Sequence, residues 1–93
     1  MRLGQLLQSH PRESELIEAV LSRLPEELRG RVHIWAEASG RVHILPRGLS
    51  RGRWWRVHGI LTELGGYWWS EPWPELPHWV IPAGKALSLL RGG

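Results

Sequence analysis

Residues 46 to 56, PRGLSRGRWWR, interleave Arg47, Arg51, Arg53 and Arg56 with glycine and the adjacent Trp54 and Trp55. Guanidinium forks bind phosphate oxygens bidentately, and the free backbone N–H groups at a helix N-terminus attract the same anions. With Ser50 as the cap of a helix, the segment reads as a phosphate-backbone cradle. The alternative makes Trp54 core and the arginines a solvated rim. A second constellation lies in GRVHIWAEASGRVHI, residues 30 to 44, where GRVHI occurs twice. Strand alternation puts His33, Trp35 and Glu37 on one face, with Arg41 and His43 beside them. An exposed Trp flanked by cations stacks on an unpaired base, worth about 1–3 kcal/mol per base, whereas a duplex offers no free base face. If that sheet face is covered instead, Trp35 is core.

Other chemistries are poorly supplied. There is no cysteine, and Asp and Asn are also absent, so a Ser-His-Asp triad is impossible and carboxylate chemistry must come from nine glutamates. His33 and His43, with Glu37 nearby, lack the tight spacing of a metal site, so no metal is expected. PAGKA resembles the end of a phosphate loop, but Trp79 stands where that motif needs Gly and Ala86 where it needs Ser or Thr. No cofactor motif is present. The expectation is a non-enzymatic protein, with a nuclease using His and Glu as the enzymatic alternative left open.

The charge distribution supports an anion-binding centre. Formal net charge is only +3, yet residues 30–64 hold six Arg and two Glu, while residues 1–29 and 65–93 are nearly balanced. Eleven Arg against one Lys and seven Trp with no Phe fit GC-rich coding equally well. Few Gln and Met, no Asn or Cys, and seven prolines resemble thermophile usage. No apolar run approaches the roughly 20 residues of a membrane span, and MRLGQLLQSH is too short and polar for a signal peptide. These features predict a soluble, intracellular (cytoplasmic) protein with no membrane partner.

Ninety-three residues predict one domain, 1–93. It divides into a helical part (1–29), a ββαββ unit (30–82) and a short C-terminal helix or tail (83–93). RLGQLLQ reads as an opening helix. SHPRESELIEAVLSRLP reads as a longer one, capped by Ser9 or His10, with Pro11 in its first turn and Leu16, Ile17, Val20, Leu21 and Leu24 as its apolar stripe. PEEL adds a turn that Gly30 ends. The repeated stretch is a hairpin whose turn sets the register. A three-residue Ala38-Ser39-Gly40 loop, with Gly40 left-handed, pairs Trp35 with His43 and Ile34 with Ile44, and gathers Val32, Ile34, Ala36, Val42 and Ile44 on the inner face. Two strands of one half-buried sheet share such patterns without any duplication. A helix follows from the Ser50 cap, with Trp54, Val57, Leu61 and Leu64 on one face and Gly65 or Gly66 as its end. YWWSE and HWVIP form a second strand pair around PWPELP. The fold class is therefore α+β: an antiparallel sheet from two hairpins packed against helices, in the order α-α-β-β-α-β-β-α.

Trp68 and Trp69 point to opposite faces, so at least one is a surface candidate. Trp68, Trp73 and Trp79 are the candidate partner-binding residues, with Trp73 between two prolines. ILTELGGYWWSEPWPELPHWVIP, residues 60–82, resembles a stretch of the HARP module of annealing helicases and of similar small replication-associated modules. The matching positions are Leu64, Gly65, Trp68, Trp79 and Pro82, about a quarter of the chain is covered, and EPWPEL replaces the charged residues usual between the strands. The resemblance implies a role in DNA transactions. Together these readings predict a small nucleic-acid-binding protein that prefers single-stranded or unpaired DNA or RNA. Arg47, Arg51, Arg53 and Arg56 would hold phosphates, and Trp35 and Trp55 would stack bases beside His33, Arg41 and His43. The alternative is a protein-interaction module, a small subunit or phage-type inhibitor, docking through its tryptophans. A homodimer is compatible with both. A winged helix is disfavoured because Glu13, Glu15 and Glu18 open the helix that would have to read the groove.

Overall fold

The structure is a computed structural model that describes residues 12–70 and 76–92. The opening helix read in residues 1–7 and the Trp73 loop tip lie outside the described residues, as do Ser9, His10 and Pro11. Helix α1 spans Glu13–Leu21, with Glu13 and Glu15 at its positive N-terminal end and Leu16 and Val20 buried one turn apart. Its N-cap is Arg12, which makes no side-chain cap bond, so the expected cap at Ser9 or His10 is displaced. Pro25 bars continuation of α1 and caps the single turn α2, Glu26–Arg29, which buries Leu28 and ends at Gly30.

Strands β1 (Val32–Ala36) and β2 (Val42–Pro46) pair in the register that the sequence predicts. Ile34 lies opposite Ile44 and Trp35 opposite His43. The turn closes with the Glu37 N–H donating to the Arg41 carbonyl at 2.8 Å, and Gly40 takes a φ of +99°, which a side chain would strain. Helix α3, Arg51–Glu63, starts at Ser50, whose Oγ accepts from the Arg53 N–H at 3.4 Å, and buries Val57 and Leu61. Gly65, at φ +94°, turns the chain out of the helix. Strands β3 (Tyr67–Trp69) and β4 (His78–Ile81) follow, then helix α4, Ala83–Leu90.

Four antiparallel strands form one sheet in the order β1-β2-β4-β3, and the element order is α-α-β-β-α-β-β-α, an α+β fold. β4 joins the two hairpins by pairing with β2, Ile44 opposite Trp79 and Val42 opposite Ile81. The helices share one face of the sheet: α1 packs on β1 and α4, and α3 on β3 and β4. Between the layers lie Leu16, Val20, Leu24, Leu28, Val42, Ile44, Val57, Leu61, Trp79 and Ile81, which exclude water from the core. Among the described residues, no helix is long and apolar enough to cross a membrane.

Candidate nucleic-acid interface and the histidine pair

The Ser50 cap gathers the basic residues that follow it. Arg47, just beyond β2, and Arg51 and Arg53 in the first turn of α3 are all exposed. That turn contains no acidic residue, and the three arginines form no ion pair among the described residues. Arg51 and Trp55 are one turn apart and therefore neighbours on the helix surface, and Trp55 is 57% exposed. Its ring is held edge-on against Trp54 at a centroid distance of 4.9 Å and against His58 at 5.5 Å, which orients the indole without covering it.

Arg56 departs from the expectation. It donates to Glu27 of α2 at 2.7 Å, so its charge is already matched. Trp35 is on the far side of the sheet from α3. The predicted set therefore divides between the two sides of the sheet: Arg51 and Trp55 share one flank of α3 and Arg53 lies on the flank of Arg56, whereas His33, Trp35 and Arg41 are on the outer sheet face. Adjacent positions in sequence cannot reveal this division, because the sheet lies between them.

On the outer sheet face, Trp35 is half-buried and stacks on His43 at 5.1 Å with planes 5° apart. His43, expected to be exposed beside it, is only 5% exposed. The reason is the β2–β4 pairing, which brings in His78, a residue sequence reasoning missed. His78 is 1% exposed and lies between Trp35 and Trp69. Its Nδ1 is 2.6 Å from the Leu76 carbonyl and its Nε2 is 2.8 Å from His43 Nδ1. A carbonyl can only accept, so His78 donates from Nδ1; in the neutral ring its Nε2 then accepts from His43 Nδ1. His43 Nε2 then faces Glu37 Oε2 at 3.0 Å, off the line an ideal N–H bond would take.

That contact has a titration consequence. Glu37 is held below its usual carboxylate range, first by its hydrogen-bonding contact with His43, which outweighs the opposing effect of burial, and then by the charges of His43 and Arg41 and a contact with Ser39. A carboxylate with a depressed folded-state pKa adds stability that is fully present above its unfolded-state pKa and is lost as pH falls through the lower folded-state value. Glu37→Gln should therefore flatten the acid limb of a stability-versus-pH curve recorded by urea denaturation. An unchanged acid limb would mean that the contact does not form in solution.

Trp68 and Trp79, expected as docking residues, belong to the inner face. Trp79 is 0% exposed, its Nε1 donates to His58 Nδ1 at 3.0 Å, and Trp54 and Trp68 close around it at 5.2 and 4.9 Å. Trp79 is therefore core, because register puts it opposite Ile44 on one side and Trp68 on the other. Trp68 is half-buried against it. Trp73 lies outside the described residues. Among the described residues the exposed large apolar side chains besides Trp55 are Tyr67 and Leu76, and a shallow pocket of about 210 Å³ lies between Trp35, Leu45, Leu76 and His78. Among the described residues, no group of His and Glu is arranged to hold a metal ion. No family model, curated protein or solved structure matches this chain.

Proposed function

We propose that this chain is a small, non-enzymatic nucleic-acid-binding protein that prefers single-stranded or unpaired segments. The observation that carries the reading is the exposed Trp55 indole one turn from Arg51, at a capped helix start where Arg47 and Arg53 also have no acidic partner among the described residues. Phosphates would sit against the three guanidiniums and the first-turn N–H groups, and a base would lie on Trp55. Arg56 contributes less than its neighbours, since Glu27 already neutralises it. The resemblance of residues 60–82 to the HARP module points the same way. Its matching positions do structural work here: Leu64 and Gly65 end α3, Trp68 faces Trp79 across the strands, and Pro82 starts α4.

The test is a Trp-fluorescence titration with single-stranded DNA, single-stranded RNA and duplex DNA at two salt concentrations. Single strands should quench the emission, and affinity should fall as salt rises because bound phosphates release counterions. Trp55→Ala should weaken single-strand binding by about 1–3 kcal/mol. No response at low salt, or equal affinity for duplex and single strand, would remove the proposal.

The protein-interaction reading moves to a different surface. The pocket beside the exposed Leu76 supports it, in place of the buried Trp79. A protein ligand that is lost on Leu76→Glu and retained on Trp55→Ala would favour this second reading.

A further inference from the structure

We propose that two copies of this chain pair along the free edges of β1, antiparallel and centred on Ile34, so that their sheets become one. β2 covers one edge of β1, and none of the described strands covers the other. The phase of the ladder shows which groups are open. The Glu37 N–H donates to the Arg41 carbonyl and the Arg47 N–H to the Arg31 carbonyl, and antiparallel bonding alternates residue by residue. Odd-numbered residues therefore bond to β2, while Val32, Ile34 and Ala36 direct their N–H and C=O groups outward. Natural edges are usually blunted by a charge, a proline or a bulge within the strand. VHIWA has none of these.

Only one register satisfies all three outward-facing residues. It sets Ile34 opposite Ile34 of the second copy and Val32 opposite Ala36. The same register places exposed Arg31 of one copy opposite exposed Glu37 of the other, and two-fold symmetry makes that match twice. A slip of the register to either side loses one of the three outward-facing residues from pairing and moves Arg31 away from Glu37. On the outer face, His33 of one copy comes to lie beside Trp35 of the other, at the cross-strand distance where such rings meet. On the inner face, each half-buried Ile34 gains its own counterpart as an apolar neighbour. The pairing uses no residue assigned to nucleic acid on α3, so it stands or falls apart from the proposed function.

Sedimentation of the full chain over a concentration series should show a reversible monomer–dimer equilibrium. Arg31→Glu, at an exposed position, should weaken self-association about tenfold or more, because two attractive cross-strand pairs become repulsive. Glu37→Arg should do the same. An equimolar mixture of the two variants should recover dimerisation, since each chain then presents the charge its partner lacks at both ends. Circular dichroism of each variant separates lost pairing from lost folding, and Arg31→Glu alone suffices if Glu37→Arg is unfolded through loss of its His43 contact. A wild-type chain that stays monomeric throughout, a folded Arg31→Glu variant that dimerises as tightly as wild type, or a mixture of folded variants that stays monomeric would overturn the proposal.

Discussion

Trp79→Ala should cost about 3–5 kcal/mol of folding stability, the largest loss expected from any single side chain here. Trp79 is fully buried at the point where α3, β3 and β4 meet, in contact with Trp54 and Trp68. Removing the indole opens a cavity that rings held in close packing on several sides can only partly refill. It also strips His58 Nδ1 of its donor. Domains are stable by roughly 5–15 kcal/mol in total, so the variant should lose a large share of its stability. Urea denaturation followed by far-ultraviolet circular dichroism measures the change. Trp79→Phe, which keeps most of the apolar volume and loses the hydrogen bond, should fall between wild type and alanine. A midpoint unchanged in the alanine variant would place Trp79 at the surface after all.

Gly66→Ala should be nearly as disruptive despite adding only one methyl group. A Cβ at this position would lie 2.9 Å from the Leu61 carbonyl oxygen, 3.1 Å from Ile81 Cγ1 and 3.2 Å from the Val80 carbonyl oxygen. Two of those three atoms are backbone. Leu61 O is fixed in the last turn of α3 and accepts from the Gly66 N–H itself at 2.8 Å, and Val80 belongs to a central strand. Neither can yield without moving its element, so a cost of about 1–3 kcal/mol is expected, at the level of core overpacking. Gly30→Ala is the matched control. Its φ is −80° and nothing lies within 4 Å of an added Cβ, so its effect should stay within about 0.5 kcal/mol. Equal midpoints for the two variants would contradict the close approach of α3's end to β4.

Both variants concern the strand that sequence reasoning describes least well. β4 reads correctly as a strand from its β-branched and aromatic content, but no local feature of HWVIP says that it pairs with β2 as well as β3. That pairing buries Trp79 and draws His78 against His43. Of the candidate docking tryptophans, Trp79 is core for the same reason that the histidine pair was missed.

Elements governed by local rules were legible from the chain alone. Gly40 and the three-residue turn fixed the β1–β2 register, because a one-residue slip would have sent every inward valine and isoleucine to the wrong face. Ser50 fixed the start of α3, and the spacing of Val57 and Leu61 fixed which side of it is buried. At the N-terminus of α1 the local signal misleads, since a cap is expected at Ser9 or His10 and the N-cap is Arg12. What only the tertiary structure decided was which side of the sheet each chemically capable residue faces and what neutralises it. Arg56 meets Glu27 across 29 positions of sequence, and His43 meets His78 across 35. Contacts so distant in sequence depend on how the layers close over a shared core. The hydrophobic effect drives that closure without directional preference, so no short motif can encode it.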